Sequence, residues 1–334
     1  MQQVASPLEI SSLQAAERPL DPQRLAAPLP SPLELLEQHA TTLASLSSLE
    51  LSLAQHSADE IVAALGLRNC PEWIQRGVAG AFIRVSLPLG RTLARFDARI
   101  ATHGISQAAA QALQELGATW ESSGAVPSRG ALLVATNHPG AYDALVLLAA
   151  MGRHDVAVLA AERSFLRALP NLSRHLLWVP DQSSNTRRAS VVRRAHRHLL
   201  EGGAVLHFGA GQIEPDPAFV QNRASLLRPW CNGTGALVRG LAVAQGVVVS
   251  ALVMGVHSPR VKRLLINRVA ERFGISTLAP LLQITIPRYR EVRAKVHFAE
   301  PYLASELMRR HSSDQKLTAW VRARAEGLWG SRRG

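Results

Sequence analysis

Leu132-Leu133-Val134-Ala135-Thr136-Asn137-His138-Pro139-Gly140-Ala141-Tyr142-Asp143-Ala144-Leu145-Val146-Leu147-Leu148 is the stretch on which the reading of this chain turns. One apolar run ends in Asn-His-Pro-Gly and a second begins, which is the order of a buried strand, a sharp turn and a helix. Pro139 stops the preceding ladder, Gly140 permits unusual backbone angles, and a helix is expected from about Ala141. His138 then stands on the turn at the strand's carboxyl end. Asp143 falls in the first helical turn, where the macrodipole favours its charge. On an unbroken helix, residues five apart point about 140° away from each other, so a turn is needed to bring the two side chains together. Once together they have the character of a base and its orienter: the carboxylate holds one imidazole nitrogen and leaves the other to take a proton.

Outward from this unit, strands and helices alternate from Gly130 onward. Strands are expected at about 130–135, 155–161, 175–180, 203–209, 246–254, 281–287 and 291–299, with helices notably at 141–151, 185–201 and 234–245 and a last basic helix at 313–328. That alternation predicts an α/β fold with a mixed, mainly parallel sheet flanked by helices. Upstream, 1–30 is rich in Pro, Ala and Gln and is expected to be a flexible lead-in. Residues 31–105 read as a helical extension and 106–334 as the main domain, opening with a helix from Ser106 to Trp120. Ser31-Pro32-Leu33-Glu34 and Ser57-Ala58-Asp59-Glu60 each carry the signature of a capped helix start, and Gly66 that of a stop. Between Glu72 and Ile100, Phe82, Ile83, Leu87, Leu93 and Phe96 alternate with Arg84, Arg91, Arg95 and Arg99 in an amphipathic segment expected to kink at Pro88. Two readings fit it: a basic face lying on anionic lipid, or a helix docked on the core with its arginines in solvent.

A second chemical element is the apolar strand and glycine turn Gly203-Ala204-Val205-Leu206-His207-Phe208-Gly209-Ala210-Gly211-Gln212-Ile213-Glu214. A Gly-x-Gly turn lets backbone N–H groups approach an anion or a developing oxyanion. Arg187 and Arg188 follow the strand near Trp178; a guanidinium there can bind an oxyanion bidentately, and the same arginines also read as the solvated face of a helix. His207 and His257 lack a partner at useful spacing and read as structural.

With 334 residues, 47% apolar content and a mean hydropathy of +0.04, the chain can bury a full α/β core plus an appendage. The formal charge of +12, in which arginine far outnumbers lysine, implies an anionic partner: a phospholipid surface, an acyl carrier protein, coenzyme A phosphates or nucleic acid, among which charge alone does not choose. Nucleic acid is not expected, because aromatic residues make up 5% of the chain and no aromatic-interleaved RNA motif is present. Cys70 and Cys231 are far apart and lack metal-ligand spacing, so neither a disulfide framework nor a zinc site is expected. The start lacks a charged n-region before an apolar core, and no uninterrupted apolar run reaches membrane-spanning length, so a cytoplasmic protein, peripheral on the inner face of the membrane, is expected.

Asn137-His138-x4-Asp143 after a strand resembles the signature of the glycerolipid acyltransferases related to lysophosphatidic acid acyltransferase, and the resemblance extends over about residues 110–300. It implies that His138, oriented by Asp143, activates a hydroxyl of a lysophospholipid or related lipid acceptor. The hydroxyl then attacks acyl-CoA or acyl-ACP without a covalent acyl-enzyme. No bound metal or cofactor is implied beyond that thioester co-substrate. Asn137 and Gly140 of the motif, Arg187 and Arg188, and the turn Gly209, Ala210, Gly211 and Gln212 are the expected substrate-binding residues. The turn departs from the family's Phe-Pro-Glu-Gly-Thr-Arg block: Gly209 stands at the proline, Ala210 at the glutamate and Ile213 at the arginine. In the family that glutamate and arginine help hold a glycerol phosphate, so the acceptor's phosphate is left open; branches with Phe-Pro-Ala-Gly are closer to this chain. Two other classes fit the same residues. A thioesterase or lysophospholipase would use the pair to activate water, and a noncatalytic anionic-lipid-binding protein would use the charge alone.

Overall fold

The structure is a computed structural model that describes residues 47–64, 67, 70–180, 185–265 and 278–330. In chain order it contains α1 (Ser48–Ala64), α2 (Glu72–His103), α3 (Ile105–Glu115), β1 (Ala118–Ser123), β2 (Leu132–Thr136), α4 (Asp143–Met151), β3 (Val156–Ala161), β4 (Leu176–Val179), α5 (Asn185–Leu200), β5 (Ala204–Phe208), α6 (Gly233–Val243), β6 (Val247–Met254), α7 (Leu278–Thr285), β7 (Val292–Phe298), β8 (Tyr302–Leu303), α8 (Ala304–Arg310) and α9 (Asp314–Gly327), with four-residue helical turns between some of them.

The strands form one sheet in the order β1-β7-β6-β2-β5-β3-β4, with β8 paired to β6. Pairs β2/β5, β2/β6, β3/β5, β3/β4 and β1/β7 are parallel, while β6 runs antiparallel to β7 and β8. The expected mixed, mainly parallel sheet is therefore present. β2 lies inside it and is buried at all five positions, as a strand covered by helices on both faces must be. Its side chains alternate between faces. Leu132 and Val134 pack with Val146 and Leu147 of α4, Ile105 and Leu113 of α3, and Phe96 and Ile100 of α2. Leu133 and Ala135 pack with Val191, Ala195 and Leu199 of α5, Leu237 and Leu241 of α6, and Leu317 and Val321 of α9. Each fully buried leucine or valine contributes ~1.5–3 kcal/mol relative to exposure, so both faces of β2 hold it in place.

Several expectations are corrected. The run at 281–287, expected as a strand, is the helix α7 up to Thr285. A short apolar run does not by itself choose between strand and helix; here Gln283, fully buried, donates to the Val256 carbonyl and accepts from Ser258 N, each at 2.6 Å, closing the open backbone beyond β6. The helix expected to Trp120 stops at Glu115, because Gly117 takes φ +72° and the chain leaves as β1 beside β7. Ser57 does not start a helix: it lies inside α1, and its hydroxyl donates to the Leu53 carbonyl at 2.8 Å. The capping box is ten residues earlier. Ser47 Oγ accepts from Glu50 N at 3.2 Å, while Ser47 N donates to Glu50 Oε2 at 2.8 Å. The box at Ser31–Glu34 and the stop at Gly66 lie outside the described residues.

α2 runs as one continuous helix through Pro88. Over 93–100 its apolar side meets the core, and Arg95 and Arg99 both pair with Glu115 of α3. Buried Asp97 accepts from Leu172 N at 2.8 Å and from Asn171 Nδ2 at 2.9 Å, capping the turn Pro170–Ser173. Along this stretch α2 is docked on the core, with Arg95 and Arg99 turned to Glu115.

Candidate active site

Because β2, β3, β4, β5 and β6 run in one direction, their carboxyl ends share one edge of the sheet, the edge where open parallel sheets bind ligands. His138 leaves β2 at that edge, two residues beyond Thr136, whose register partners are Phe208 and Ala251. Gly140 at φ +86° and Ala141 at φ +56° then reverse the chain so that Asp143, the first residue of α4, returns toward His138. A left-handed alanine costs of order 1–2 kcal/mol, a strain held here by the turn's packing. Gly140 is favoured by its φ, which is glycine's; a Cβ on it would stand 3.0 Å from Ile213 Cδ1, whose flexible end would have to shift slightly.

The pair meets as expected. His138 Nδ1 lies 2.7 Å from Asp143 Oδ2. The carboxylate also accepts from Gly140 N at 2.7 Å and from Ala144 N at 2.6 Å, so three N–H groups converge on it. Asp143 is buried at 3% side-chain exposure while His138 is 28% exposed: the orienter is enclosed and the base opens to the edge. With Nδ1–H given to Asp143, Nε2 is the nitrogen left to accept a proton. Burial works against the charged imidazole, but the charge and hydrogen bond of Asp143, and the charge of Glu214, outweigh it and hold His138 above the ordinary histidine value. Phe208, the last residue of β5, stacks on the imidazole with ring centroids 4.2 Å apart.

The other expected site residues divide. Asn137 is corrected from substrate ligand to structural bridge: it is fully buried, its Oδ1 accepts from Val253 N and its Nδ2 donates to the Val253 carbonyl, both at 2.8 Å. Gly140 gives its N–H to Asp143. In the turn after β5, Gly209 N donates to the Thr136 carbonyl at 2.9 Å and Gly211 N to the Phe208 carbonyl at 3.1 Å, so both glycine amides are engaged within the fold. Ala210 is half-buried against the core beneath the turn, and the exposed Gln212 accepts from Arg228 Nη1 at 3.3 Å. Arg187 and Arg188 are exposed at the start of α5, after β4. β4 is three strands from β2 in the sheet, about 14 Å at ordinary strand spacing. Strand order thus sets β4, which leads to these arginines, apart from β2, which leads to His138.

Two neighbours of His138 escaped the sequence reading. Phe208 closes an apolar strand and stands at the phenylalanine of the family's block, but nothing in the sequence placed it against His138. From the sequence Glu214, like Gln212, could supply a polar contact to the acceptor in place of the family's glutamate and arginine; in the structure its N–H donates to the His138 carbonyl at 2.7 Å and its Oε2 accepts from His138 N at 3.0 Å. On the opposite face of β5, His207 is buried with Nε2 2.9 Å from Thr234 Oγ1, and burial drives its pKa down to about 4. It is a neutral core histidine, as expected.

Residues 118–254 match the family model described as Acyltransferase. That span runs from β1 to the end of β6 and contains His138, Asp143 and the turn after β5. No curated protein matches the chain. Among solved structures, the 1-acyl-sn-glycerophosphate (LPA) acyltransferase PlsC from Thermotoga maritima is similar at 13% identity and a TM-score of 0.45, covering 85% of this chain and 97% of that one.

Proposed function

We propose that this chain, whose residues 118–254 match the acyltransferase family model, moves a fatty acyl group from acyl-CoA or acyl-ACP to a hydroxyl of a lysophospholipid or related lipid, with His138 as general base. The observation that carries the reading is the 2.7 Å contact between an edge-facing imidazole and an enclosed carboxylate. His138 Nε2 removes the acceptor hydroxyl's proton as its oxygen attacks the thioester carbonyl carbon. The tetrahedral intermediate collapses with cleavage of the C–S bond, and the imidazolium returns the proton to the departing thiolate. The products are an ester and a free thiol, and no side chain is acylated. With the Gly209 and Gly211 amides engaged, the amides of Ala210 and Gln212 are the turn's candidates for holding the oxyanion. The exposed arginines of α5, Arg187, Arg188, Arg193, Arg194 and Arg197, suit an anionic membrane surface. Among the described residues no helix is long and apolar enough to cross a membrane.

The test is thiol release from an acyl thioester with and without a lysophospholipid acceptor, followed by identification of the lipid product. Acylated lipid formed by the parent protein and not by His138→Ala supports the transferase. Free fatty acid as the sole product would assign the pair to water activation, and thiol release unchanged in His138→Ala would remove it from catalysis.

A further inference from the structure

We propose that Glu214 is the positioning residue of His138: through its backbone and its carboxylate it grips the peptide of the base from the far side of the turn. This rests on the reading of His138 as the general base. The grip is reciprocal. Glu214 N–H donates to the His138 carbonyl at 2.7 Å, and His138 N–H donates to Glu214 Oε2 at 3.0 Å. The second carboxylate oxygen, Oε1, accepts from Arg228 N at 2.8 Å. One buried side chain, 2% exposed, therefore joins the His138 turn, the 209–214 turn and the segment that leads to Trp230.

Asp143 fixes the imidazole, but an imidazole is only as well placed as the Cα that carries it. His138 lies beyond Thr136, the last paired residue of β2, and follows the fully buried Asn137, so its peptide N–H needs a partner off the strand ladder. Glu214 supplies it. The residues that follow show the same design at the neighbouring strand. Asp216, 1% exposed, accepts from Gly255 N at 2.8 Å and from His257 N at 3.0 Å, just beyond β6. Pro215 and Pro217 flank it and restrict φ, so the Glu-Pro-Asp-Pro stretch ties down the ends of β2 and β6 with two carboxylates. Glu214 also acts on the base through space. The anionic groups facing the imidazole are Asp143 and Glu214, both favouring its protonated form, and the ring's remaining face meets Phe208. Burial raises the Glu214 carboxyl, while the amides of Arg228 and His138 favour its charged form.

Glu214→Gln keeps the size of the side chain and removes its charge; since an NH2 group replaces one carboxylate oxygen, one of the two amides loses its acceptor. The full chain carrying Glu214→Gln is expected to lose roughly 10- to 100-fold in kcat with KM nearly unchanged, and the acid limb of its pH–rate profile is expected to move to lower pH. Glu214→Asp, which keeps the charge, should leave that limb close to the parent's. Independently of turnover, the His138 ring is followed by NMR in histidine-labelled protein, its signals assigned by their loss in His138→Ala. Its titration should move to lower pH in Glu214→Gln and stay near the parent's in Glu214→Asp. If Glu214→Gln does not fold, Glu214→Asp must show a changed kcat or His138 line shape in a folded protein. A His138 titration unmoved in folded Glu214→Gln, or a folded Glu214→Asp with both properties unchanged, would overturn the proposal. A titration that moves in a protein without transferase activity would retain Glu214's influence on His138 and refute the general-base reading instead.

Discussion

The side chain of Asn137 continues the β2 ladder where the backbone turns away: it gives Val253 both an acceptor and a donor, each at 2.8 Å, as the next residue of a strand would. β2 and β6 therefore stay joined up to the base. Asn137→Ala leaves a buried N–H and a buried carbonyl without partners, at ~1–3 kcal/mol each. It is expected to lower Tm markedly and to reduce turnover through displacement of His138. Thermal unfolding read beside the activity of the fraction still folded checks both effects.

Asp143→Asn keeps the shape of the orienter and removes its charge. Turnover should fall by roughly 10²–10⁴-fold, the range lost when an oriented base is mis-set. The sign of the pH effect follows from the raised His138 value. The active base is neutral, so kcat/KM of the parent should rise with pH through a midpoint above the ordinary histidine value of about 6.5. In Asp143→Asn the charge favouring imidazolium is gone and the midpoint should move down. A pH series on both proteins measures the direction; an upward move would contradict the electrostatic assignment.

A Cβ on Gly209 would lie 2.1 Å from Cδ2 of the Trp230 indole. Either the indole or the turn after β5 must then shift, so Gly209→Ala should destabilise the fold by ~1–3 kcal/mol. Because Gly209 N–H holds the Thr136 carbonyl, activity should fall as well. Chemical denaturation and initial rates together report the shift.

At the opposite edge of the sheet, Arg153 provides a control. Its side chain is 2% exposed and donates to Asp155 and to the carbonyls of Pro127, Gly130 and Gly202, joining the segments that enter β2, β3 and β5. Arg153→Met should cost ~3 kcal/mol, the low end for a broken buried pair because Asp155 is half-exposed. That is equivalent to a Tm lowered by about 5–10 °C. The midpoint of the pH–rate profile should not move, since the clasp lies at the strands' amino ends. Differential scanning calorimetry and the pH series test the two halves of this expectation.

The strand, turn and helix around His138, the alternation that makes the sheet mainly parallel, and the pairing of His138 with Asp143 are legible along the chain. Those follow from local causes: apolar periodicity, the angles of Pro139 and Gly140, and charge at a helix start. Tertiary structure decided what depends on partners far along the chain. Leu281–Thr285 is helical while Gln283 closes the backbone beyond β6, and Ala118–Ser123 is a strand because β7 lies alongside it. Asn137 turned from a ligand of substrate into a bridge because Val253, more than a hundred residues later, spends both ends of its amide. Arg187 and Arg188 follow a strand as the motif order suggests, but the order of strands in the sheet sets that strand, β4, apart from β2. Hydrogen-bond partners and strand order are long-range properties, and residue spacing along a chain carries neither.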